Sequence, residues 1–276
     1  MKPGASIRST RLRPGGELAE IAPDPVLPGS FTLSIAGTAQ SHVVPADPGD
    51  LFYDYVRRMG FAVDRIRLPG EPLVALHLGA GALTLARYLQ STRPGSEQHV
   101  VELEQNLVAF VTDALPLPAG TSLTEHPGDA AVQVRALAPT LGERCDVVIS
   151  DLYHGLHTPA HLQTTAFFAD IARLLTPEGV LLINVADDQG LPTLRRQSAA
   201  LAPVFEHLLL LGPQSVLEQQ QAGNAVVVAS NSAGVLDWAG ALRAAGPHPG
   251  SVLTGATPIR SLPRPASGAQ NGRDGG

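Results

Sequence analysis

From Leu73 onward, short apolar runs alternate with longer stretches whose apolar residues recur every three or four positions. The short runs read as strands at 73–78, 98–103, 121–124, 145–150, 180–185, 206–211 and 224–229. The longer stretches read as helices at 83–91, 105–114, 129–137, 161–175, 190–202 and 234–245. Several strands are apolar at nearly every position, as expected when helices cover both faces of a parallel sheet. The last two, HLLLLG and NAVVVAS, have no helical pattern between them, so the sheet should end antiparallel. The expectation is an α/β fold on a mostly parallel, seven-stranded sheet.

Ahead of this region the period shortens to two. Segments 17–21, 31–35 and 40–44 read as strands of a small β-rich module, broken by PDPVLPGS and by a tight turn at Ala36-Gly37-Thr38. Segment 50–63 reads as a helix capped by Asp47 or Asp50, with Phe52, Tyr55, Val56, Met59 and Val63 on one face. RLPGEP at 67–72 is the linker. The expected divisions are a disordered tail at 1–15, the N-terminal module at 16–70, the main domain at 71–250 and a second disordered tail at 251–276. Both tails are rich in Pro, Gly, Ser and Arg.

With 276 residues, 44% hydrophobic and 16% charged, the chain can bury a sizeable core. The net charge of −6 argues against a nucleic acid or an anionic membrane as partner. No apolar stretch approaches ~18 residues, so no membrane span is expected. The N-terminus is basic but lacks the apolar core of a secretory signal. A single cysteine, Cys145, rules out an internal disulfide and reads as a strand-start core residue. The expected location is the cytoplasm.

In a doubly wound sheet, ligands bind beyond the carboxyl ends of the strands. Four features fall at such ends. Gly79-Ala80-Gly81, in LHLGAGALTLARYL, leaves room for a ligand at a helix N-terminus, but it carries no Lys for phosphates and no third glycine for a dinucleotide. Glu102 closes the next strand and either accepts from ribose hydroxyls or is a solvated strand-end charge. Asp129, followed by Ala130, opens a helix and serves as its cap, as an acceptor for an adenine amine, or as both. Asp151 follows the buried run CDVVIS, where a carboxylate is costly unless paired or used; it is a general base, an amine binder or a loop anchor. His154, His157 and His161 have spacings a metal site uses on a helix, but Gly155 and Pro159 break the segment, so no metal is expected and a polar substrate-side loop is the better reading. Asp187 and Asp188 read as caps for the helix from about 190.

The order of these features, glycine loop, acid, Gly-Asp, strand-end Asp, resembles the spermidine synthases, or polyamine aminopropyltransferases, over roughly residues 17–230. LGAGALTLARYL resembles their glycine-rich motif, VVELEQ the ribose-binding acid motif, PGDA the adenine-side motif and VVISDLYHG the catalytic loop. IAGTAQSHV and DLFYDYV resemble the stretches that supply a glutamine and a tyrosine on the substrate side, here Gln40 and Tyr53. The resemblance implies a Rossmann-like, methyltransferase-type fold and a homodimer. It implies a donor, decarboxylated S-adenosylmethionine, on Gly79, Ala80, Gly81, Glu102, Asp129 and Ala130, with Asp151 as the base and Tyr153 and His154 on the side of a small amine. The chain departs from the family where Ala82 and His154 replace two acids. Charge-assisted hydrogen bonds contribute roughly 1.5–3 kcal/mol each, so binding of a dicationic diamine is expected to be weaker by orders of magnitude. Two alternatives therefore stand beside aminopropyl transfer: a methyltransferase using S-adenosylmethionine itself in the space left at Ala82, and a non-catalytic nucleoside-binding relative.

Overall fold

The computed structural model describes residues 6–153 and 158–255. His154 lies outside the described residues. The N-terminal module is a four-stranded antiparallel sheet of β1 (Arg8–Arg11), β2 (Leu18–Pro23), β3 (Phe31–Ile35) and β4 (Thr38–Val43), in that order. Ala36 and Gly37 both take positive φ, 50° and 77°, so a tight turn of the kind that matches strand twist joins β3 to β4. Helix α1 (Asp54–Val63) follows.

The main domain contains β5 (Val74–Leu78), α2 (Thr84–Thr92), β6 (Glu97–Glu102), α3 (Leu107–Ala114), β7 (Ser122–Pro127), α4 (Ala130–Leu141), β8 (Cys145–Ser150), α5 (Thr165–Ala172), β9 (Leu175–Asp187), α6 (Pro192–Leu201), β10 (His207–Pro213), α7 (Gln214–Leu217), β11 (Gly223–Ser230), α8 (Ala239–Ala245) and β12 (Gly250–Gly255). The sheet order is β12-β10-β11-β9-β8-β5-β6-β7. The pairings from β9 to β7 are parallel, and those of β11 and β10 are antiparallel. Strand order reverses between β5 and β8, which places a crevice at their carboxyl ends.

Period-two alternation separates two cores. Leu76, Leu78 and Val148 pack under α4, α5 and α6, while Ala75, Val147 and Ile149 pack under α1, α2 and α8. A third cluster joins the two sheets: Leu12, Ile21, Leu33 and Val43 of the module meet Ala82, Leu83 and Ala86 and the apolar face of α3. Cys145 is fully buried. No helix among the described residues is long and apolar enough to cross a membrane.

Several expectations are corrected. The stretch 1–15 contains strand β1, paired along its length with β2; as an edge strand with three of four residues exposed, it has no apolar alternation to reveal it. The stretch 251–276 begins with β12, which pairs with β10 and makes the sheet eight-stranded rather than seven. Of its six residues only Val252 is buried, and the Pro-Gly-rich approach hides it. The helix expected at 161–175 is a 3-10 turn over Ala160–Gln163 and then α5, and β9 already begins at Leu175. The helix expected at 234–245 likewise opens as a 3-10 turn, over Ala233–Trp238. One helical turn, α7, lies between β10 and β11 where none was expected. Neither Asp47 nor Asp50 caps α1. Asp47 instead accepts from Gly49 N (3.2 Å) in a preceding turn, and the helix starts at Asp54.

Candidate active site

A cleft of about 820 Å³ opens over the ends of β5, β6, β7 and β8 and under the N-terminal module. Gly79, Ala80, Gly81, Glu102, Asp129, Ala130, Asp151, Gln40, Tyr53 and Tyr153 all line it.

The glycine loop is shaped by close packing. Gly79 (φ +92°) faces the carbonyl of Asp151 so closely that a Cβ would collide with it, and Gly81 (φ +47°) faces the hydroxyl of Ser41 in the same way. The Ser41 hydroxyl accepts from Ala82 N (3.0 Å), and Glu102 Oε2 accepts from Ala80 N (2.8 Å). The second oxygen of Glu102 accepts from Glu104 N (2.9 Å). Loss of hydration pushes the Glu102 carboxyl above its usual range, and these backbone donors only partly offset it. Glu102 lines the cleft, and acceptor capacity beyond these backbone donors is available to a ligand hydroxyl.

Asp129 caps α4. Its Oδ1 accepts from Ala131 N (3.0 Å) and Val132 N (3.2 Å), while Oδ2 lies 2.7 Å from His161 Nε2. Burial raises its pKa, but His161 and the two N–H groups together pull it below the ordinary value. Of the three histidines singled out by spacing, His161 is thus an Asp129 partner, and His154 and His157 lie outside the described residues.

Asp151 sits where β8 ends against β5, its N–H bonded to Leu78 O (2.9 Å). Oδ1 accepts from Asn184 Nδ2 (2.8 Å), and Oδ2 accepts from the Tyr55 hydroxyl (3.2 Å). Burial pushes the carboxyl above its usual range against these two donors. The Tyr55 hydroxyl is itself pushed well up, first by burial and then by Asp151. Tyr53 stacks on Tyr55 with centroids 6.1 Å apart and planes 10° apart. Tyr153 donates to Asn184 O (3.0 Å) and accepts from Ala186 N, which anchors the loop after β8 to β9.

Sequence reasoning missed four polar residues that the fold brings into this arrangement: Ser41, Tyr55, Asn184 and Asn224. Asn184 carried a signal, as the lone polar residue in the run LLINV. Tyr55 was assigned only to the core face of its helix. Of the two aspartates read as caps, Asp187 accepts from Thr193 N (3.1 Å) and Leu194 N (2.7 Å) in the first turn of α6, whereas Asp188 bonds Leu191 N through its backbone carbonyl and the N-cap position itself is Leu191.

Ala82 is 1% exposed, packs in the cluster between the two sheets and does not line the cleft. The space expected there for a donor carboxylate is therefore filled by apolar neighbours.

Six carboxylates line the cleft, from Glu17, Asp54, Glu102, Glu104, Asp129 and Asp151, and no Lys or Arg does so among the described residues. Glu104 is paired with Arg13 at 3.3 Å. The field inside the cleft is suited to a cationic ligand.

No family model matches the chain. It is 26% identical over 184 residues to the polyamine aminopropyltransferase of Vibrio vulnificus (strain CMCP6), a match covering 66% of this chain and 58% of that protein. The chain thus spans little more than half the length of this curated relative. In fold it is similar to a probable spermidine synthase from Corynebacterium glutamicum ATCC 13032, with a TM-score of 0.79, 25% identity and coverage of 98% and 99% of the two chains. Human methyltransferase-like protein 13 in complex with SAH shares the fold at a TM-score of 0.52 and 19% identity, over 69% of this chain and 89% of that one. In motif order, cleft and fold the chain is similar to the polyamine aminopropyltransferases, the spermidine synthase family, and it has a methyltransferase-like fold.

Proposed function

We propose that the protein transfers an aminopropyl group from decarboxylated S-adenosylmethionine to an amine and releases methylthioadenosine. The observation that carries this reading is the charge of the cleft: carboxylates on every side, no Lys or Arg among the described lining residues, and Asp151 at the strand end. A donor with a sulfonium and an ammonium, and an acceptor that arrives as an ammonium, suit such a field.

In this reading Gly79 and Gly81 admit the nucleoside, Glu102 accepts from the ribose hydroxyls and Asp129 faces the adenine. Asp151 takes a proton from the acceptor ammonium. The freed nitrogen lone pair attacks the carbon beside sulfur, a C–N bond forms, the C–S bond breaks and its electron pair stays on sulfur. Sulfonium is already a good leaving group, so catalysis is chiefly alignment plus proton removal. Gln40, Tyr53, Tyr153 and His154 are assigned to the acceptor side.

The choice of donor rests on what the cleft lacks. S-adenosylmethionine carries a carboxylate that needs donors or a cation. The loop N–H groups of Ala80, Ala82 and Leu83 are already bonded to Glu102, Ser41 and Ala80 O. His77, which lines the cleft, is held neutral by burial. These features weigh against methyl transfer and for the decarboxylated donor. A homodimer formed near the N-terminal strands and a cytoplasmic location complete the reading, and sedimentation of the full chain tests the first.

The test is a mass-spectrometric screen of both sulfonium compounds against putrescine, cadaverine, spermidine and agmatine. Methylthioadenosine together with an aminopropylated amine is the expected outcome. Methylthioadenosine binding with no turnover of any amine would overturn the reading in favour of a nucleoside-binding relative.

A further inference from the structure

We propose that Asn224 is a positioning residue for the base: it locks the Asn184 amide in the one orientation that donates to Asp151. This rests on the reading of Asp151 as the proton acceptor. Asn184 lies on β9 and Asn224 on its antiparallel neighbour β11, where Asn224 is the register partner of Ala186. Asn184 Nδ2 donates to Asp151 Oδ1 at 2.8 Å, and Asn224 Nδ2 donates to Asn184 Oδ1 at 2.9 Å.

The direction of this chain follows from chemistry. A primary amide turned by half a rotation exchanges its NH2 and its oxygen at little steric cost. An ionised carboxylate has only acceptors, so Asn184 must turn its NH2 toward Asp151. Its carbonyl then faces Asn224, which must in turn present NH2. Asn184 is 3% exposed, so bulk water is a poor substitute for either partner. Without Asn224, the Asn184 carbonyl would be left without its donor, and the flipped amide would set an oxygen against the carboxylate. The Tyr153 hydroxyl, bonded to the backbone at Asn184 and Ala186, fixes the strand segment from which the amide projects.

The relay matters because the other influence on Asp151 is adverse. Burial disfavours the ionised carboxylate, and Asn184 and Tyr55 are the two side-chain donors that support it. Among the described residues, the titratable groups facing Asp151 are Tyr55 from α1 and Tyr153 from its own loop, and burial holds both hydroxyls protonated across the working range. Asn224 therefore serves to keep the base ionised and aimed while touching neither reacting atom.

The experiment compares the wild-type chain with Asn224→Ala and Asn224→Asp, using two readouts. The first is the 13C titration of the Asp151 carboxyl, assigned with Asp151→Asn. The second is the pH profile of kcat/KM for decarboxylated S-adenosylmethionine and the amine found in the screen. In Asn224→Ala, the carboxyl titration and the acid limb are expected to move together to higher pH by about one pH unit, with kcat/KM on the acid side of the limb down roughly tenfold. Asn224→Asp, nearly isosteric but acceptor-only, should turn the Asn184 carbonyl toward Asp151 and shift both further. A carboxyl titration unmoved in both variants, with wild-type circular dichroism and melting, overturns the proposal. Turnover retained in Asp151→Asn would instead overturn the assignment of the base, and the carboxyl titration would still decide the relay.

Discussion

The hydroxyl of Ser41, on the N-terminal sheet, lies 3.0 Å from the backbone nitrogen of Ala82 in the glycine loop of the main domain. The same hydroxyl occupies the space a side chain at position 81 would need. One atom of the module thus both closes an N–H group of the loop and sets how near the loop approaches. Ser41→Ala removes the acceptor and should lower stability by about 1 kcal/mol and weaken methylthioadenosine binding. Gly81→Ala should do more, because it adds a left-handed backbone cost to the collision with Ser41. The two changes share one contact, so the double variant should cost less than the sum. Additive losses in a double-mutant cycle, read by urea unfolding, would mean that Ser41 and the loop are not coupled.

Asp151→Asn keeps the shape and the bond to Tyr55 but removes the proton acceptor. Turnover should fall by roughly 10²–10⁴ while methylthioadenosine binding measured by calorimetry stays near wild type. Tyr55→Phe removes one of the two donors to Asp151 and should lower the rate less, with the acid limb of the rate profile moving to higher pH, since the ionised carboxylate loses support. An acid limb that moves to lower pH would contradict the role given to Tyr55.

What was legible in the sequence follows from what each signal depends on. Strands β5, β6, β8 and β9 are buried on both faces and show as apolar runs, and the acids that close β6 and β8 show because a carboxylate after such a run is out of place. Strands β1 and β12 lie at sheet edges, where one flank is unpaired and the apolar pattern lapses. Tyr55, Asn184 and Asn224 meet Asp151 across 96, 33 and 73 positions of chain, directly or through one another, so no local pattern announces them. Ala82 reads as a gap in the cleft because the resemblance puts an acid at that position. The left-handed turn at Leu83 (φ 57°) and the packing of Leu33 and Val43 put Ala82 in the core instead.

Glu102 holds two backbone N–H groups, from Ala80 and Glu104, with its two oxygens. Glu102→Gln turns one oxygen into an NH2 that faces a backbone donor, so the loop must shift even without ligand. Affinity for methylthioadenosine should fall by roughly 10–100-fold. Glu102→Asp keeps both acceptors but shortens the reach, and should recover the loop bonds only in part. Equal binding by the wild type and Glu102→Gln, measured by calorimetry, would remove Glu102 from the ribose site.

His77 gives the stability of the fold a pH dependence with a defined sign. Its imidazole is 4% exposed on β5, with Nε2 3.0 Å from Gln98 Oε1, and Gln98 is fixed in turn by donating to Ala86 O (3.2 Å). Burial drives the His77 pKa from 6.5 down to about 4, with the Gln98 bond working against the shift. The unfolded chain therefore takes up a proton that the folded chain refuses. Stability should fall as pH drops from about 6.5, and the loss should be complete near about 4, amounting to about 3 kcal/mol. His126, lowered by burial and then by His99, adds to the loss in the same window. Asp151 and Glu102, with raised pKa values, act in the opposite direction as the pH falls. The difference between wild type and His77→Gln isolates the imidazole: urea midpoints of the two should converge on acidification, with the variant losing less. Parallel lines between about pH 7 and about pH 4 would show that His77 takes its proton as readily in the folded chain as in the unfolded one.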